Sequence, residues 1–382
     1  MYLHAWDLAD DSVDATLEWI RRADLNTLNL AATYHHGWFL HPRHGQHRAF
    51  MTEGDVCYFH PDPSSYRETK LKPLVSRTAG TRDCLAEVAK RLGPDLRLVS
   101  WTVGAHNTRL GLAHPECAVR NVYGDRLPHA LCPANNDVKE YLKALCRDLA
   151  THYPLWGIQL EAFCWMGLAH GHHHERDLVG LSPVEQDLMG LCVCPDCEQK
   201  AGRAGVDVSE VRVSAKDILD AAFREAPARP PSHPRSMAEA EAVIPELGAF
   251  RRWQQTYIKS LLTEIRKESL AGSSCRLLLQ TGFDTTLAGV VDGFACASYH
   301  ETAAATLRIC EEASRSVRGE WDGLMQCLIQ LGMGIPESEE DLGRIIAAAR
   351  DGGCNGVSFY NFSESPPKML EWLGRTLPAF SP

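Results

Sequence analysis

The sequence predicts an α/β fold, a (β/α)8 TIM barrel with long rim loops and an insertion after the fourth strand. Eight short apolar stretches alternate with helical patterns along the 382 residues, which is typical of parallel strands joined by crossover helices. No glycine-rich phosphate loop follows the first stretch, which disfavours the competing doubly wound sheet. The hydrophobic fraction of 45% is ample for one large core. We therefore treat residues 1–382 as a single barrel domain.

Four apolar runs supply the first half of the barrel. The first strand is predicted to end at His4-Ala5-Trp6-Asp7, and the next three to cover residues 25–32, 96–102 and 156–162. Asp11 or Ser12 can cap a first helix, whose apolar residues recur at helical spacing. Further helices are predicted over residues 81–92 and 137–152.

Four more apolar runs supply the second half. These strands are predicted over residues 275–281, 293–299, 324–331 and 355–361. Helical segments are predicted between them, including residues 338–349, and a last one near residues 368–377 closes the chain. A long helix before the fifth strand carries an apolar face made of Phe250, Trp253, Tyr257, Leu261 and Ile265.

Three polar stretches are too long for ordinary connections. Residues 38–72, 103–136 and 163–245 are therefore predicted as excursions from the rim. In the third, Ser182-Pro183-Val184-Glu185 has the form of a capping box with proline at the first helical position. Four prolines between residues 227 and 234 indicate a flexible insertion and not a linker between two domains.

The net charge of −10 argues against a nucleic-acid or anionic-membrane partner. The first residues lack the basic-then-apolar order of a signal peptide, and no apolar run reaches membrane-spanning length. We therefore expect a soluble, cytoplasmic protein without nucleic-acid or membrane partners. Homo-oligomer formation is left open.

Barrels of this kind carry their chemistry where the strands end, at the C-terminal rim. The predicted strand ends form a mouth rich in aromatic rings, imidazoles and carboxylates. Aromatic faces stack on sugar rings, and the polar groups bond to hydroxyls, so the expected substrate is a saccharide or glycoside. The predicted substrate-binding residues are His4, Tyr34, His35, Trp101, His174, Tyr299, His300, Tyr360 and Asn361. His106, Gln280, Gln330 and Glu364 complete the ring without an assigned role.

Glu161 is the leading catalytic candidate because it ends an apolar strand. A carboxylate there must be solvated in a cleft, paired or protonated, since bare burial is costly. Apolar walls would raise its pKa and suit it to act as a general acid/base. Asp7 and Glu301 are the candidate partner carboxylates, and Asp284 is a further one. The structural alternative is a rim salt bridge between Glu161 and an arginine.

A histidine-rich loop follows the fourth strand. His170, His172 and His174 alternate, so in an extended loop they would share one side and could ligate a metal ion. Their spacing does not require a metal, and contact with substrate or solvent is a common role of rim histidines. His174 is therefore assigned to substrate binding.

Three of the 14 cysteines are clustered, in Cys192-Val193-Cys194-Pro195-Asp196-Cys197. Zinc takes four ligands in a tetrahedron, so a fourth must come from a neighbouring loop. Cys132, at the start of the preceding helix, is best placed, and Cys117, Cys164 and His174 are reserves. The alternative is a set of unligated loop thiols. Four other cysteines lie in apolar patterns and are interpreted as small core residues: Cys275, Cys296, Cys327 and Cys354.

In this thiol pattern the sequence resembles the family 42 glycoside hydrolases, which are β-galactosidases, and their barrel relatives. Those enzymes hold a zinc ion between one cysteine that opens the helix after strand three and a C-x-C-x-x-C cluster after strand four. Leu131-Cys132-Pro133 and the cluster that ends at Cys197 match both parts. The resemblance therefore implies a structural Zn²⁺ on Cys132, Cys192, Cys194 and Cys197.

The same resemblance implies an acid/base glutamate at the end of strand four, where the family has Asn-Glu and this chain has Leu160-Glu161. The family's nucleophile is a glutamate that ends strand seven, whereas this chain has Gln330 there. The chain thus departs from the family at two positions: Leu160 stands where the family has asparagine, and no carboxylate ends strand seven.

Three functions follow from these observations. The first is a divergent, carbohydrate-active glycoside hydrolase that cleaves a glycosidic bond with Glu161 as general acid/base. The second is a metal-dependent lyase or isomerase of a sugar or cyclitol, with His4, Glu161, His174 and His300 converging on a divalent ion. The third is a carbohydrate-binding barrel without catalysis, which the missing strand-seven acid favours.

Overall fold

Eight parallel strands form the wall of a barrel. The computed structural model describes residues 1–10, 12–43, 48–77, 80–168, 174–226, 228–280, 285–317 and 321–380. The barrel strands are β1 (Tyr2–Leu3), β2 (Thr27–Tyr34), β3 (Arg97–Val103), β4 (Gly157–Glu161), β5 (Arg276–Leu279), β6 (Gly293–Ser298), β7 (Leu324–Gln330) and β8 (Gly356–Tyr360). Each strand overlaps or adjoins its predicted run, so the predicted (β/α)8 barrel is confirmed.

The strands follow one another around the barrel in chain order, all in parallel. In the pairing of β3 with β4, Val103 lies opposite Glu161. A hydrogen bond of 2.9 Å from the Phe362 amide to the Tyr2 carbonyl joins the end of β8 to β1, so the sheet is nearly closed. A short strand, Val56–Cys57, pairs antiparallel with β2.

Helices surround the barrel and build much of its rim. They are α1 (Asp7–Asp10), α2 (Val13–Arg22), α3 (Cys84–Arg91), α4 (Thr108–Ala113), α5 (Asn136–His152), α6 (Pro183–Met189), α7 (Pro195–Arg203), α8 (Val208–Glu225), α9 (Met237–Val243), α10 (Pro245–Glu264), α11 (Ala303–Val317), α12 (Glu339–Asp351) and α13 (Pro367–Thr376). Ser12 caps α2 by accepting a hydrogen bond of 3.1 Å from the Ala15 amide. The predicted capping box of Ser182 and Glu185 is present at the start of α6.

Two connections differ from the prediction. The chain leaves the sheet after Leu3, so that Asp7 opens α1 and does not end a strand. Between β5 and β6, the described residues 285–292 contain a single 3₁₀ turn, Thr285–Leu287, where a helical segment was predicted. Residues 281–284 of this connection lie outside the described residues.

The predicted rim excursions contain secondary structure of their own. The first holds a hairpin of Trp38–Leu40 with Ala49–Met51. The second holds α4 and a hairpin of Ala118–Arg120 with Arg126–Leu131. The third is built from α6, α7, α8 and α9. Hairpins and helices therefore support the rim of the barrel.

The long helix α10 turns its predicted apolar face to the core. Phe250, Leu261 and the following Ile265 are buried, and Trp253 and Tyr257 pack against the core from partly exposed positions. Among the described helices, none is both long and apolar enough to cross a bilayer.

Candidate active site and thiol cluster

A cavity of about 490 Å³ opens at the C-terminal ends of the strands. Its lining includes Tyr34, His35, Glu161, Trp165, Gln280, Tyr299 and Tyr360. Five strands supply these side chains or the loops that carry them, which is the usual construction of a site on this fold. The cavity has room for one or two sugar rings.

Glu161 is the last residue of β4 and its side chain lines this cavity. The indole Nε1 of Trp101 donates a hydrogen bond of 2.6 Å to Glu161 Oε2. Burial raises the pKa of Glu161 to about 6, although the bond from Trp101 acts in the opposite direction. Among the described residues, no arginine forms an ion pair with Glu161, so the salt-bridge alternative has no support there.

Three tyrosines form one wall of the cavity. The hydroxyls of Tyr34 and Tyr360 lie 3.0 Å apart, and the ring of Tyr299 lies 5.5 Å from that of Tyr360. Burial raises the pKa of all three phenols above the ordinary value, and the negative charge of Glu161 raises it further. The wall therefore presents neutral hydroxyls and aromatic faces, which suit a polyhydroxylated ligand.

Glu364 is a second carboxyl close to the tyrosine wall. Its charge acts on Tyr34, Tyr299 and Tyr360, as that of Glu161 does. The Asn361 amide donates a hydrogen bond of 2.5 Å to Glu364 Oε2. Burial raises the pKa of Glu364, and the bond from Asn361 opposes this. The sequence placed Glu364 on the rim without a role, because it lies beyond the end of β8.

An imidazole row extends from the cavity. His35 stacks on Tyr34 at 4.4 Å on one side and on His106 at 4.3 Å on the other. The ring of His129 lies 6.1 Å from that of His106, and its Nε2 lies 3.2 Å from the Gly167 carbonyl oxygen. His35 is thus at the cavity as predicted. His129 was missed because it lies in a hairpin, away from any barrel strand.

The structure does not bring His4 and Asp7 to the cavity. Both are fully buried behind the aromatic wall, where His4 stacks on Trp6 at 4.1 Å. The Asp7 carboxylate accepts hydrogen bonds from the His4 amide (2.8 Å) and the Ser363 hydroxyl (2.7 Å). Arg43 lies 3.6 Å from its other oxygen. This arrangement ties α1 to the end of β8.

The remaining predicted site residues that the structure describes lie outside the lining of the cavity. Trp101 and Asn361 are buried supports of Glu161 and Glu364, respectively. His300 is exposed on the rim with a positive φ of 56°, and Glu301 follows it in a partly exposed position. His170, His172, His173 and Asp284 lie outside the described residues, as does the side chain of His174.

A mainly apolar pocket of about 280 Å³, which Arg251, Gln254 and Gln255 also line, adjoins the cavity. The two share Cys164 and Trp165, and the pocket continues over Phe163, Ile258 and Leu287. It offers a hydrophobic surface next to Glu161, of the kind that receives the apolar face of a second ligand group.

The four predicted thiol ligands lie together. Cys132 Sγ is 3.5 Å from Cys197 Sγ and 3.6 Å from Cys194 Sγ, and all four sulfurs, with Cys192, lie within 4.8 Å of one another. A tetrahedral ion with metal–sulfur bonds of about 2.3 Å needs sulfurs about 3.8 Å apart. The four buried thiols could therefore hold a metal ion.

Backbone contacts hold the two halves of this cluster together. The Val193 amide donates to the Arg120 carbonyl at 2.8 Å, and the Cys132 amide donates to the Cys117 carbonyl at 2.8 Å. The Asn135 amide group donates to Asp196 at 2.9 Å. Of the reserve ligands, Cys117 bonds to Asn135 and Cys164 lines the cavity, so neither belongs to the cluster.

Comparisons with known proteins agree with the barrel. No protein-family profile matches the chain, and no curated protein matches it in sequence. Its fold is similar to α-L-fucosidase isoenzyme 2 from Paenibacillus thiaminolyticus, with a TM-score of 0.56 and 12% identity over 97% of this chain and 46% of that one. It is also similar to the PgaB (BpsB) glycoside hydrolase domain from Bordetella bronchiseptica, with a TM-score of 0.55 and 12% identity over 91% and 87% of the two chains. The chain spans about half the length of the fucosidase. At these identities, the likeness shows the barrel fold alone.

Proposed function

We propose that the protein is a carbohydrate-active enzyme that cleaves a glycosidic bond with Glu161 as general acid/base. The observation that carries this proposal is a carboxyl with a pKa raised to about 6, in a cavity walled by tyrosines at the C-terminal rim. A carboxyl with this pKa keeps its proton up to about pH 6, well above the ordinary range of glutamate, and can deliver it to a leaving oxygen.

Trp101 positions the proposed acid. Its indole occupies Oε2 of Glu161, so the transferable proton belongs on Oε1. The tyrosine wall would bind the sugar through its rings and hydroxyls. The adjoining apolar pocket would receive the group on the far side of the scissile bond.

Glu364 is the proposed partner carboxylate. It shares the tyrosine wall with Glu161, whereas Asp7 is engaged in a buried network and Glu301 lies on the rim. In its ionised form, Glu364 would act on the anomeric carbon or on a water molecule, as glycosidases with two carboxyl groups require. This assignment replaces the strand-seven nucleophile, which is absent at Gln330.

The thiol cluster is proposed to hold a structural Zn²⁺. Cys132, Cys192, Cys194 and Cys197 would supply its four sulfur ligands, and the ion would join the start of α5 to that of α7. The resemblance of this thiol pattern to that of the family 42 glycoside hydrolases supports this assignment. The ion would brace the insertion that follows Glu161.

Substitution of Glu161 tests the proposal. Glu161→Gln is expected to lower kcat about 10²- to 10⁴-fold on aryl glycosides with poor leaving groups, and much less on those with good ones. The matched control is Glu337→Gln, an exposed glutamate in the loop after β7. Normal turnover by Glu161→Gln across a panel that the wild type hydrolyses would refute the proposal.

A carbohydrate-binding barrel without catalysis is the second candidate, favoured by the end of β7 at Gln330. It predicts saccharide binding by calorimetry with no turnover on the same panel. The lyase or isomerase hypothesis has less support, because His4, Glu161 and His300 form no metal-ligating group among the described residues.

A further inference from the structure

A second group of cysteines lies on the opposite side of the barrel from the first thiol cluster. Cys296, Cys310, Cys327 and Cys354 are all buried, with exposed fractions of 4%, 0%, 0% and 7%. From the sequence, Cys296, Cys327 and Cys354 were interpreted as isolated core residues, and their burial agrees with that interpretation. Their mutual proximity was not predicted, because they are spread over some sixty residues of chain.

Three sulfurs of this group are close enough to share one ion. Cys296 Sγ lies 4.0 Å from Cys310 Sγ, and the sulfurs of Cys296, Cys310 and Cys327 all lie within 4.8 Å of one another. Cys354 is outside that set of three sulfurs, but it is buried on the turn that meets Cys310, where a Cβ atom at Gly352 would lie 2.5 Å from Cβ of Cys310. We propose that these four cysteines form a second tetrathiolate metal site, for a zinc-class divalent ion, that no resemblance suggested.

The sheet register places two of the ligands side by side. Cys296 of β6 and Cys327 of β7 are direct partners in the parallel ladder, so their side chains leave the same face of the sheet. Cys310 reaches that face from α11, which packs outside these strands. Adjacent partners on parallel strands are about 4.8 Å apart at Cα, a spacing that suits two ligands of one ion.

The fourth ligand arrives on a tight turn. Cys354 follows Gly352 and Gly353 at the end of α12, and its amide donates to the Ala349 carbonyl at 3.1 Å. A Cβ atom at position 352 would lie 2.5 Å from Cβ of Cys310, so glycine is needed for the turn to approach α11. Gly353 has a φ of 98°, which an L side chain rarely adopts. The two glycines therefore allow the turn that carries Cys354 to pack closely against Cys310.

The sulfur spacing favours a single ion over a cluster. Three sulfurs within 4.8 Å of one another fit a tetrahedron with edges of about 3.8 Å. An iron–sulfur cluster spreads its ligands over several metal ions and would hold these sulfurs further apart. Four soft ligands in a tetrahedron suit zinc best among common divalent ions. Binding would release the thiol protons to solvent.

Such an ion would join three consecutive β/α units. Its ligands lie on β6, α11, β7 and the turn before β8. The same strands end in Tyr299 and Tyr360, which line the cavity. The ion is expected to stabilise the half of the barrel opposite the insertion, by holding these units together. The proposed second metal site does not depend on the proposed glycosidase activity.

Metal stoichiometry tests the proposal. The protein is produced in zinc-supplemented medium, purified without chelators and measured by mass spectrometry of its elements. We expect two zinc ions per chain in the wild type, one for each cysteine group, and sulfur-only coordination by X-ray absorption. Cys310→Ala and Cys197→Ala should each lose one ion. Cys84→Ala, which removes a buried thiol of α3 outside both groups, should keep two.

Cobalt substitution separates the two sites. In Cys197→Ala, the sulfur-to-cobalt charge-transfer band should persist at about half the wild-type intensity. One ion per wild-type chain that Cys197→Ala abolishes would overturn the proposal. A disulfide between Cys296 and Cys310, found by mass spectrometry of the alkylated native protein, would also overturn it. The zinc count and the X-ray absorption of the wild type test the proposal even if Cys310→Ala does not fold.

Discussion

The indole of Trp101 donates a hydrogen bond of 2.6 Å to the carboxyl of Glu161. Trp101 is fully buried, so it holds the carboxyl from within the barrel without filling the cavity. The bond favours the ionised form and lowers the pKa of Glu161, against the larger upward effect of burial. Two opposed effects therefore set the pKa of the proposed acid.

Removal of this bond should move the pH profile. Trp101→Phe is expected to raise the pKa of Glu161 by roughly one unit, because a hydrogen bond to the charged form is lost. The basic limb of the kcat/KM profile should shift upward with it. Trp156→Phe, whose indole lies between Arg97 and Arg276 at the start of β4, is the control. An unshifted limb in Trp101→Phe would contradict the assignment.

The wild-type rate should fall as the pH rises above about 6, because the proposed acid then loses its proton. The free energy of unfolding should also fall as the pH rises. Since the folded-state pKa lies above the ordinary 4.5, ionisation destabilises the fold, with no penalty below about 4.5 and the full penalty above about 6.

Glu161→Gln removes this penalty. The variant should therefore exceed the wild type in unfolding free energy by on the order of 1 kcal/mol at about pH 8, and match it at about pH 4. Urea denaturation at the two pH values measures the difference. An equal difference at both values would show that the effect is not ionisation of Glu161.

Glu364→Gln tests the second carboxyl. If Glu364 acts on the anomeric carbon or on water, the variant should lose about 10²-fold or more in kcat while its melting temperature changes little. Glu301→Gln, measured in parallel, tests Glu301 on the rim as the alternative partner carboxylate. A larger loss in Glu301→Gln than in Glu364→Gln would reverse the assignment of the partner carboxylate.

Asp7 is expected to act on stability. Its buried carboxylate is held by the Ser363 hydroxyl and the His4 amide and lies beside Arg43. Asp7→Ala leaves these groups without their partner and should cost about 3 kcal/mol of unfolding free energy. Asp14→Ala, an exposed aspartate of α2, should cost little. Unchanged stability with lost turnover would return Asp7 to the catalytic candidates.

Loss of the first metal site should loosen the insertion. Cys197→Ser is expected to release one zinc ion, lower the melting temperature and speed amide hydrogen exchange in α7, while β3 and β4 stay protected. Cys117→Ser, a buried thiol outside the cluster, is the control. Retention of the ion by Cys197→Ser would contradict the ligand assignment.

Much of the fold was accessible from the sequence. Apolar runs locate the strands, and local signals such as Ser12 and the capping box of Ser182 locate helix starts, because these depend on neighbours in the chain. The same approach placed Glu161 at a strand end. It also predicted a helical segment between β5 and β6, where the described residues 285–292 hold a 3₁₀ turn.

The sequence by itself determined the barrel, the carboxyl at the end of β4 and the four cysteines of the first cluster. The tertiary structure decided which polar groups share a space. It buried Asp7 with Ser363, placed Glu364 close to the tyrosine wall, and brought Cys296, Cys310 and Cys327 within reach of one ion. The physical reason is that a strand pattern fixes which face a side chain leaves. Its neighbours across the barrel depend on the register between strands and on the paths of the loops.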